Sequence, residues 1–345
     1  MCNVSPELNG YFLLNKPKDI SSFWAISRAR NTLSERLKIP FKKIKVGHAG
    51  TLDPLAQGLL LCAVGKSTKM LSYLLLTNKK YIAELHLGEF SETDDAEGEK
   101  FIPECKINKL NNNVKNPKFR EIQDVIRLFI GKIKQTPPKF SALKINGKRA
   151  CDRVREITKE GGSNKNGSEF TDAEIVEIMK IKTREVEILD IQILDYSYPK
   201  LKIEVHCGTG TYIRSLARDI GEKLQEGAYL SFLERTEIGN FNLKNAVHHN
   251  DIDEKNISQF TKIAFGDALP SFIIGDKNIV ERLAQGQKIA FRDLDFTKSE
   301  NIKTQKKYEL YEKHIKQVLL WTEKNELLGL GELKHDILLP SKIII

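Results

Sequence analysis

The chain has 345 residues, 40% of them hydrophobic, and 55 basic against 46 acidic side chains give it a formal net charge of +9. Apolar content at that level supports a sizeable core and excludes a disordered chain; the length suits a large domain with a small one, or two of medium size. The basic excess suits a polyanionic partner, nucleic acid foremost, and speaks to association rather than to fold.

Tyr11-Phe12-Leu13-Leu14 predicts a short strand ended by Asn15-Lys16-Pro17. Ser21 or Ser22 offers an N-cap, and Ile26, Arg30, Leu33 and Leu37 recur at helical spacing, so a helix is expected to end before Pro40. Lys42, Lys43 and Lys45 form a basic patch, either a solvated face or a phosphate contact. The patch leads into Gly47-His48-Ala49-Gly50-Thr51-Leu52-Asp53-Pro54-Leu55-Ala56-Gln57-Gly58, and then into Leu59 to Val64, which reads as a short buried strand. Glycines of that density mark a sharp turn or a close backbone approach. Asp53 therefore sits on a tight loop against the core, where a scaffold presents a reactive group; equally, Asp before Pro is an ordinary turn starter.

Gly65-Lys66-Ser67 looks like the end of a P-loop, but the earlier glycine that motif requires would fall at Leu60, which excludes it. Ser67 or Thr68 is expected to cap a helix carrying Met70, Leu71, Leu74 and Leu75. Lys66 and Lys69 would stand at its start, where the macrodipole disfavours cations and an anion would compensate. From Lys79 to Gly88 the pattern alternates like a half-buried strand, with Tyr81, Ala83, Leu85 and Leu87 on one face; Tyr81 is either core or an aromatic floor for a base. The acidic turn from Ser91 to Gly98 lacks the ligand spacing of a calcium loop and reads as solvated. Residues 105–120 read as a connecting loop and Ile122, Val125, Ile126 and Phe129 as a helix.

Gln135 to Lys144, stiffened by Pro137 and Pro138 and followed by Lys148, Arg149, Arg153 and Arg155, interleaves an aromatic with cations in a way that suits splayed bases and phosphates. Gly161 to Ser168 reads as a flexible insertion. Val186 to Ile191 and Leu201 to His206 predict two strands of one sheet. Ile213, Leu216, Ala217, Ile220 and Leu224 then give a helix with Tyr212 and Arg214 at its first turn. An arginine there calls for a carboxylate, and Asp53 is a candidate. The tail from about Ala268 changes texture; Val318 to Trp321 and Leu327 to Gly331 flank a polar turn as a hairpin would, which predicts a small β-rich second domain. Five scattered cysteines without a Cys-x-x-Cys pair fit reduced thiols. The start lacks the features of a signal peptide, and no apolar run approaches the about 18 residues that span a bilayer, so a soluble cytoplasmic protein is expected.

Seven stretches in this order resemble the TruB family of tRNA pseudouridine synthases. They are Asn15-Lys16-Pro17 with Ile20-Ser21-Ser22, Gly47-His48 to Gly58, Lys80-Tyr81 with Leu87-Gly88, Thr93 with Asp95 and Gly98, Pro137-Pro138 with Ser141-Ala142 and Lys144, Gly210 to Arg214, and Leu233 with Arg235 and Ile238-Gly239. The chain departs from the family's pattern at Ala49, Gln57, Glu234 and Cys151, and the glycine-rich insertion lengthens a thumb-like loop. The resemblance implies an α+β pseudouridine synthase fold: a mixed, mostly antiparallel central sheet with flanking helices over residues 1–267. It further implies a thumb-like loop at 132–183 with the insertion at 158–172, and a PUA-like RNA-binding domain at 268–345.

The implied reaction is isomerisation of uridine 55 in the T-loop of tRNA, with Asp53 as nucleophile or base, Arg214 keeping it ionised and Tyr81 stacking on the target. By the same resemblance His48 fills the space left by the flipped base, Tyr212 and Leu233 line the pocket, and Lys16, Lys69 and Lys144 grip RNA backbone. The expected partner is the tRNA T-arm, met by a monomer without membrane, metal or organic cofactor, since the isomerisation is redox-neutral. Rival readings are a non-catalytic tRNA-binding or folding protein, a guide-RNA-dependent relative, and a glycosidase, which would need a second acid about 5–10 Å from Asp53.

Overall fold

The computed structural model describes residues 8–111, 115–140, 144–145, 148–149, 182–265, 269–294, 317–334 and 337–344. Of Lys144 it describes only the strand pairing of Lys144–Ile145 with Lys148–Arg149; Ser141, Ala142, Cys151 and the 158–172 insertion lie outside the described residues. The chain divides into two compact units, Met1–Lys79 with Arg235–Ile345, and Lys80–Glu234.

In the first unit β1 (Gly10–Lys16) and β2 (Val46–Ala49) both run antiparallel to β3 (Gln57–Val64). Leu59 to Val64 are all fully buried, because both faces of β3 are covered. Leu60, Cys62 and Val64 pack with Phe12, Leu14 and the apolar stripe Ala25, Ile26, Ala29 and Leu33 of α1 (Ser22–Leu37). Leu59, Leu61 and Ala63 face the opposite way, into a cluster with Met70, Leu74, Phe265, Leu319 and Trp321. A strand covered on both sides reads as a continuous apolar run rather than an alternation. The Ser21 side chain accepts from the Trp24 N–H at 3.1 Å as the N-cap of α1, and Lys38 ends the helix at φ 53° ahead of Pro40. Beyond β3 the segment Gly65–Met70 is a 3-10 turn, and only Leu71–Leu74 (α2) is α-helical. Thr68 bonds back to Gly65 O instead of capping forward.

The second unit carries β4 (Lys79–Leu87), β5 (Gly131–Gln135), β6 (Arg184–Ser197), β7 (Lys200–Cys207) and β8 (Ala228–Ile238) in the sheet order β8–β4–β7–β6–β5. β6 pairs antiparallel with both β7 and β5. The alternation of β4 is as the sequence predicts, Tyr81, Ala83, Leu85 and Leu87 being buried. Its helices are α3 (Glu104–Asn111), α4 (Phe119–Arg127) and α5 (Ile213–Leu224). α3 corrects the expected loop over 105–120. Lys106 and Lys109, one turn apart, both reach the fully buried carboxylate of Glu226, Lys109 at 3.1 Å, so an Asn- and Lys-rich stretch acquires an anchored helical face.

Returning to the first unit, α6 (Lys262–Phe265), β9 (Ser271–Ile274) and α7 (Lys277–Ala284) precede β10 (Gln317–Thr322), β11 (Leu327–Lys334) and β12 (Ile337–Ile343). The predicted hairpin is β10–β11, with Val318 opposite Gly331 and Trp321 opposite Leu327; β9 adds parallel to β10, and β12 pairs with β11 and with Ile289–Ala290. Alternate residues of β10 face different clusters: Val318 and Leu320 join Phe272, Leu283 and Leu338, whereas Leu319 and Trp321 join Leu59 and Leu61. The architecture is α+β with a separate β-rich sheet near the C-terminus, as expected. No helix among the described residues is long and apolar enough to cross a membrane.

Candidate active site

Between β2 and β3 the chain makes the loop that carries Asp53, and side chains from other parts of the first unit hold that loop by its backbone. Gly50 adopts φ +84°, and a Cβ there would stand 3.3 Å from an Arg235 nitrogen. Arg235, 1% exposed, donates to Gly50 O at 2.9 Å and to Leu59 O at 2.8 Å. The buried Ser22 hydroxyl donates to Leu52 O at 2.8 Å and accepts from the Leu52 N–H at 2.9 Å. Lys16, fully buried, donates from Nζ to Ile20 O at 2.6 Å, Pro17 O at 2.9 Å and Pro54 O at 3.3 Å, and the Asp19 N–H donates to Pro54 O at 2.8 Å. Asp53, half-buried between exposed Thr51 and Pro54, is thus presented on a loop tied on both sides of it. Preorganisation of this kind holds a reacting group without reorganisation at the moment of reaction.

Lys16 corrects an expectation. Its ammonium is sealed from solvent and committed to carbonyls, so it orders the Asp53 loop and does not grip RNA. His48 lies on β2, with burial and then the Arg235 guanidinium holding its imidazole below the ordinary range, opposed by the backbone at Gly50; it is neutral at physiological pH. Lys69 is exposed and donates to Ile343 O at 2.8 Å.

The second unit brings together another set of groups around the start of α5. Tyr212 is its N-cap residue: the Tyr212 N–H donates to Gln135 Oε1 at 2.7 Å, and Gln135 Nε2 donates to Tyr212 O at 3.0 Å. Arg184 lies over the Tyr212 ring at 4.9 Å. Arg214, 5% exposed, pairs with Asp95 at 3.3 Å and donates to Thr93 O at 3.2 Å and Phe140 O at 3.0 Å. One turn on, Arg218 pairs with Asp94 at 2.7 Å and with Asp219 at 2.9 Å, and donates to Thr136 O at 3.0 Å. The acidic turn is therefore not solvated, contrary to its sequence reading: Asp94 is 9% and Asp95 2% exposed. Thr93 donates to Asp95 Oδ1 at 2.5 Å, and a Cβ on Gly98 would fall 2.6 Å from the Thr93 hydroxyl, which explains the Thr93, Asp95 and Gly98 pattern. Tyr81 on β4 and Leu233 on the neighbouring β8 are both buried.

Burial pushes the Asp94 carboxyl up to about 6, against the pull of Arg218 and Arg214 and with a further push from Asp219. A carboxyl whose pKa is raised on folding contributes stability fully present below its unfolded pKa near 4 and lost as pH rises through the folded value. Over two pH units at about 1.4 kcal/mol each, the window is worth about 3 kcal/mol at most. Asp94→Asn is thus expected to gain stability relative to the parent chain as pH rises from 4 to 7. Urea titrations across that range measure it, and a pH-independent difference would contradict it.

Residues 38–213 match the model of the TruB family pseudouridylate synthase (N terminal domain), a span that holds the Asp53 loop, the acidic turn and the start of α5. The chain belongs to the TruB family. TruB-family relatives named tRNA pseudouridine synthase B resemble it over most of its length. The one from Parabacteroides distasonis is 38% identical over 70% of this chain and 90% of its own; those from Francisella tularensis and Corynebacterium diphtheriae are 36% and 35% identical over 81% and 83% of this chain and 80% and 86% of theirs. Two solved structures share the fold at lower identity. A chain in the crystal structure of a Cbf5-Nop10-Gar1 complex gives a TM-score of 0.59 at 22% identity, covering 94% of this chain and 78% of that one. A chain in the structure of an H/ACA RNP bound to a substrate RNA containing 2'-deoxyuridine gives 0.60 at 21%, covering 97% and 85%.

Sequence reasoning assigned no role to Arg235 or Gln135, which fix the Asp53 loop and the Tyr212 backbone. A lone arginine in the strand Ala228–Ile238 was the available signal for the first, since a buried guanidinium needs fixed acceptors.

Proposed function

We propose that this TruB-family chain isomerises uridine 55 in the T-loop of tRNA to pseudouridine, with Asp53 as the essential carboxylate. The observation that carries the reading is a half-buried Asp53 on a loop whose carbonyls at Gly50, Leu52 and Pro54 are each held by a side chain from elsewhere in the same unit. In the reaction the N1–C1′ bond breaks, the uracil turns, and a C5–C1′ bond forms; the C5 proton leaves and N1 gains one. Asp53 acts on the sugar or base as nucleophile, or on the sugar as base. The uridine must leave its stack first. A neutral His48 suits the space it vacates, since an uncharged ring enters a stack without a desolvation penalty for charge.

Tyr81 as stacking floor, Arg214 as the cation favouring an ionised carboxylate, and Tyr212 and Leu233 as pocket lining enter on the motif matches. Lys69, Lys144 and a PUA-like tail serve as RNA grips on the same grounds. The enzyme acts as a cytoplasmic monomer and requires no cofactor. The test is release of tritium from T-arm RNA labelled at uridine C5, with uridine 55 present or replaced by cytidine. Release only when uridine 55 is present supports the reading; equal release from both RNAs, or release from neither, overturns it.

A further inference from the structure

A cleft of about 400 Å³ opens in the first unit between the turn that enters β2 and the turn that leaves β3. Four of its ten lining residues are lysines, Lys43, Lys45, Lys66 and Lys69, and none is a carboxylate. Backbone contacts fix the two turns side by side. The Gly65 N–H donates to Lys45 O at 2.8 Å, Val46 stands opposite Val64, and the Lys66 N–H donates to the Asn9 side chain at 2.7 Å. Gly65 sits at φ +64° with a would-be Cβ 2.2 Å from Leu8 O, so the turn tolerates no side chain at this position. Ile44, 2% exposed, pins the short segment from which Lys43 and Lys45 project into solvent.

Gathering ammonium groups in one concavity costs mutual repulsion, and a low-dielectric wall focuses their field outward. A ligand that reverses the sign of that cost carries several negative charges on an extended frame. Lysine is suited to such a ligand as a mobile point charge on a long stem, whereas planar bidentate recognition would call for arginine. Position narrows the ligand further. β2 rises roughly 3.3 Å per residue, so the cleft lies about 13 Å along the strand from the turn at Gly50. That is too far to serve the phosphates of a nucleotide whose sugar meets Asp53, and near enough to meet another part of the same polymer.

We propose that this lysine cleft binds the phosphodiester backbone of the tRNA substrate at nucleotides other than the target, an assignment that rests on the tRNA reading above. The cleft supplies affinity and orientation and takes no part in the chemistry. Its signature is a share of the salt dependence of binding, because each neutralised phosphate releases counterions.

Filter binding of full-length tRNA over a range of salt concentrations tests this with Lys43→Ala, Lys45→Ala, Lys66→Ala and the triple variant. The slope of log affinity against log salt should fall by about 0.7–0.9 for each phosphate that a variant no longer neutralises. For the triple variant KM should rise about tenfold or more while kcat stays within about twofold, and the triple Lys→Arg variant should restore both. Thermal melting confirms that each variant is folded. Unchanged slope and KM in the triple Ala variant overturn the proposal. So does loss of inorganic pyrophosphate binding with tRNA binding intact, which would assign the cleft to a small free phosphate. The slope is read without turnover, so a wild type that binds tRNA but releases no tritium sinks the functional reading while the slope still judges the cleft. A wild type that binds no tRNA sinks both.

Discussion

Asp53→Asn is expected to keep its fold and its affinity for tRNA and to lose tritium release by a factor of about 10³ or more. Asn matches Asp in shape and removes the charge, so neither nucleophilic attack nor proton abstraction survives. The loop around it has independent supports: Arg235 on Gly50 O, Ser22 on both backbone groups of Leu52, and Lys16 on Pro54 O. A lower rate therefore reports chemistry rather than a collapsed loop. Release and binding are measured on the same T-arm RNA, with urea titration as the check on folding. A variant within tenfold of the parent rate would remove Asp53 from the mechanism.

The parts legible in the sequence are those where one segment carries its own reason for folding. The run Leu59 to Val64 announces a strand buried on both faces, Ser21 announces the start of α1, and the alternation from Lys79 announces β4. The glycine density around Asp53 announces a tight loop, and Gly50 at φ +84° shows why. What stayed hidden depends on partners distant in the chain. Asp94 and Asp95 sit among Ser, Glu and Thr and look solvated, because the arginines that make their burial tolerable lie more than a hundred residues on, at 214 and 218. Lys16 looks like a surface cation beside a proline, because what it satisfies is backbone carbonyl, which no side-chain pattern reveals. α3 depends in the same way on Glu226, which neutralises the lysines of an otherwise loop-like sequence.

Asp95→Ala is expected to destabilise the second unit by about 3–5 kcal/mol, the cost typical of removing one partner from a buried ion pair. Arg214 is 5% exposed and its pair with Asp95 spans 3.3 Å, so the guanidinium would keep its burial and lose its neutralising charge. The other carboxylate oxygen of Asp95 accepts from the Thr93 hydroxyl and, at 3.0 Å, from the Glu97 N–H, so the turn would lose its internal ties as well. Asp95→Asn separates the two contributions, since its amide oxygen still accepts from Thr93 and Glu97 while the charge is gone; it should cost less than the alanine variant. Exposure supplies the control. Arg127 and Asp124 pair at 3.1 Å with side chains 71% and 59% exposed, and solvent screening limits such a pair to about 1 kcal/mol or less. Arg127→Ala should therefore leave urea midpoints almost unmoved. If Asp95→Ala shifts them no further than that control, the buried pair is not what holds Arg214 in place, and the ordering of the acidic turn must come from the packing of Gly98 against Ser91 and Thr93 instead.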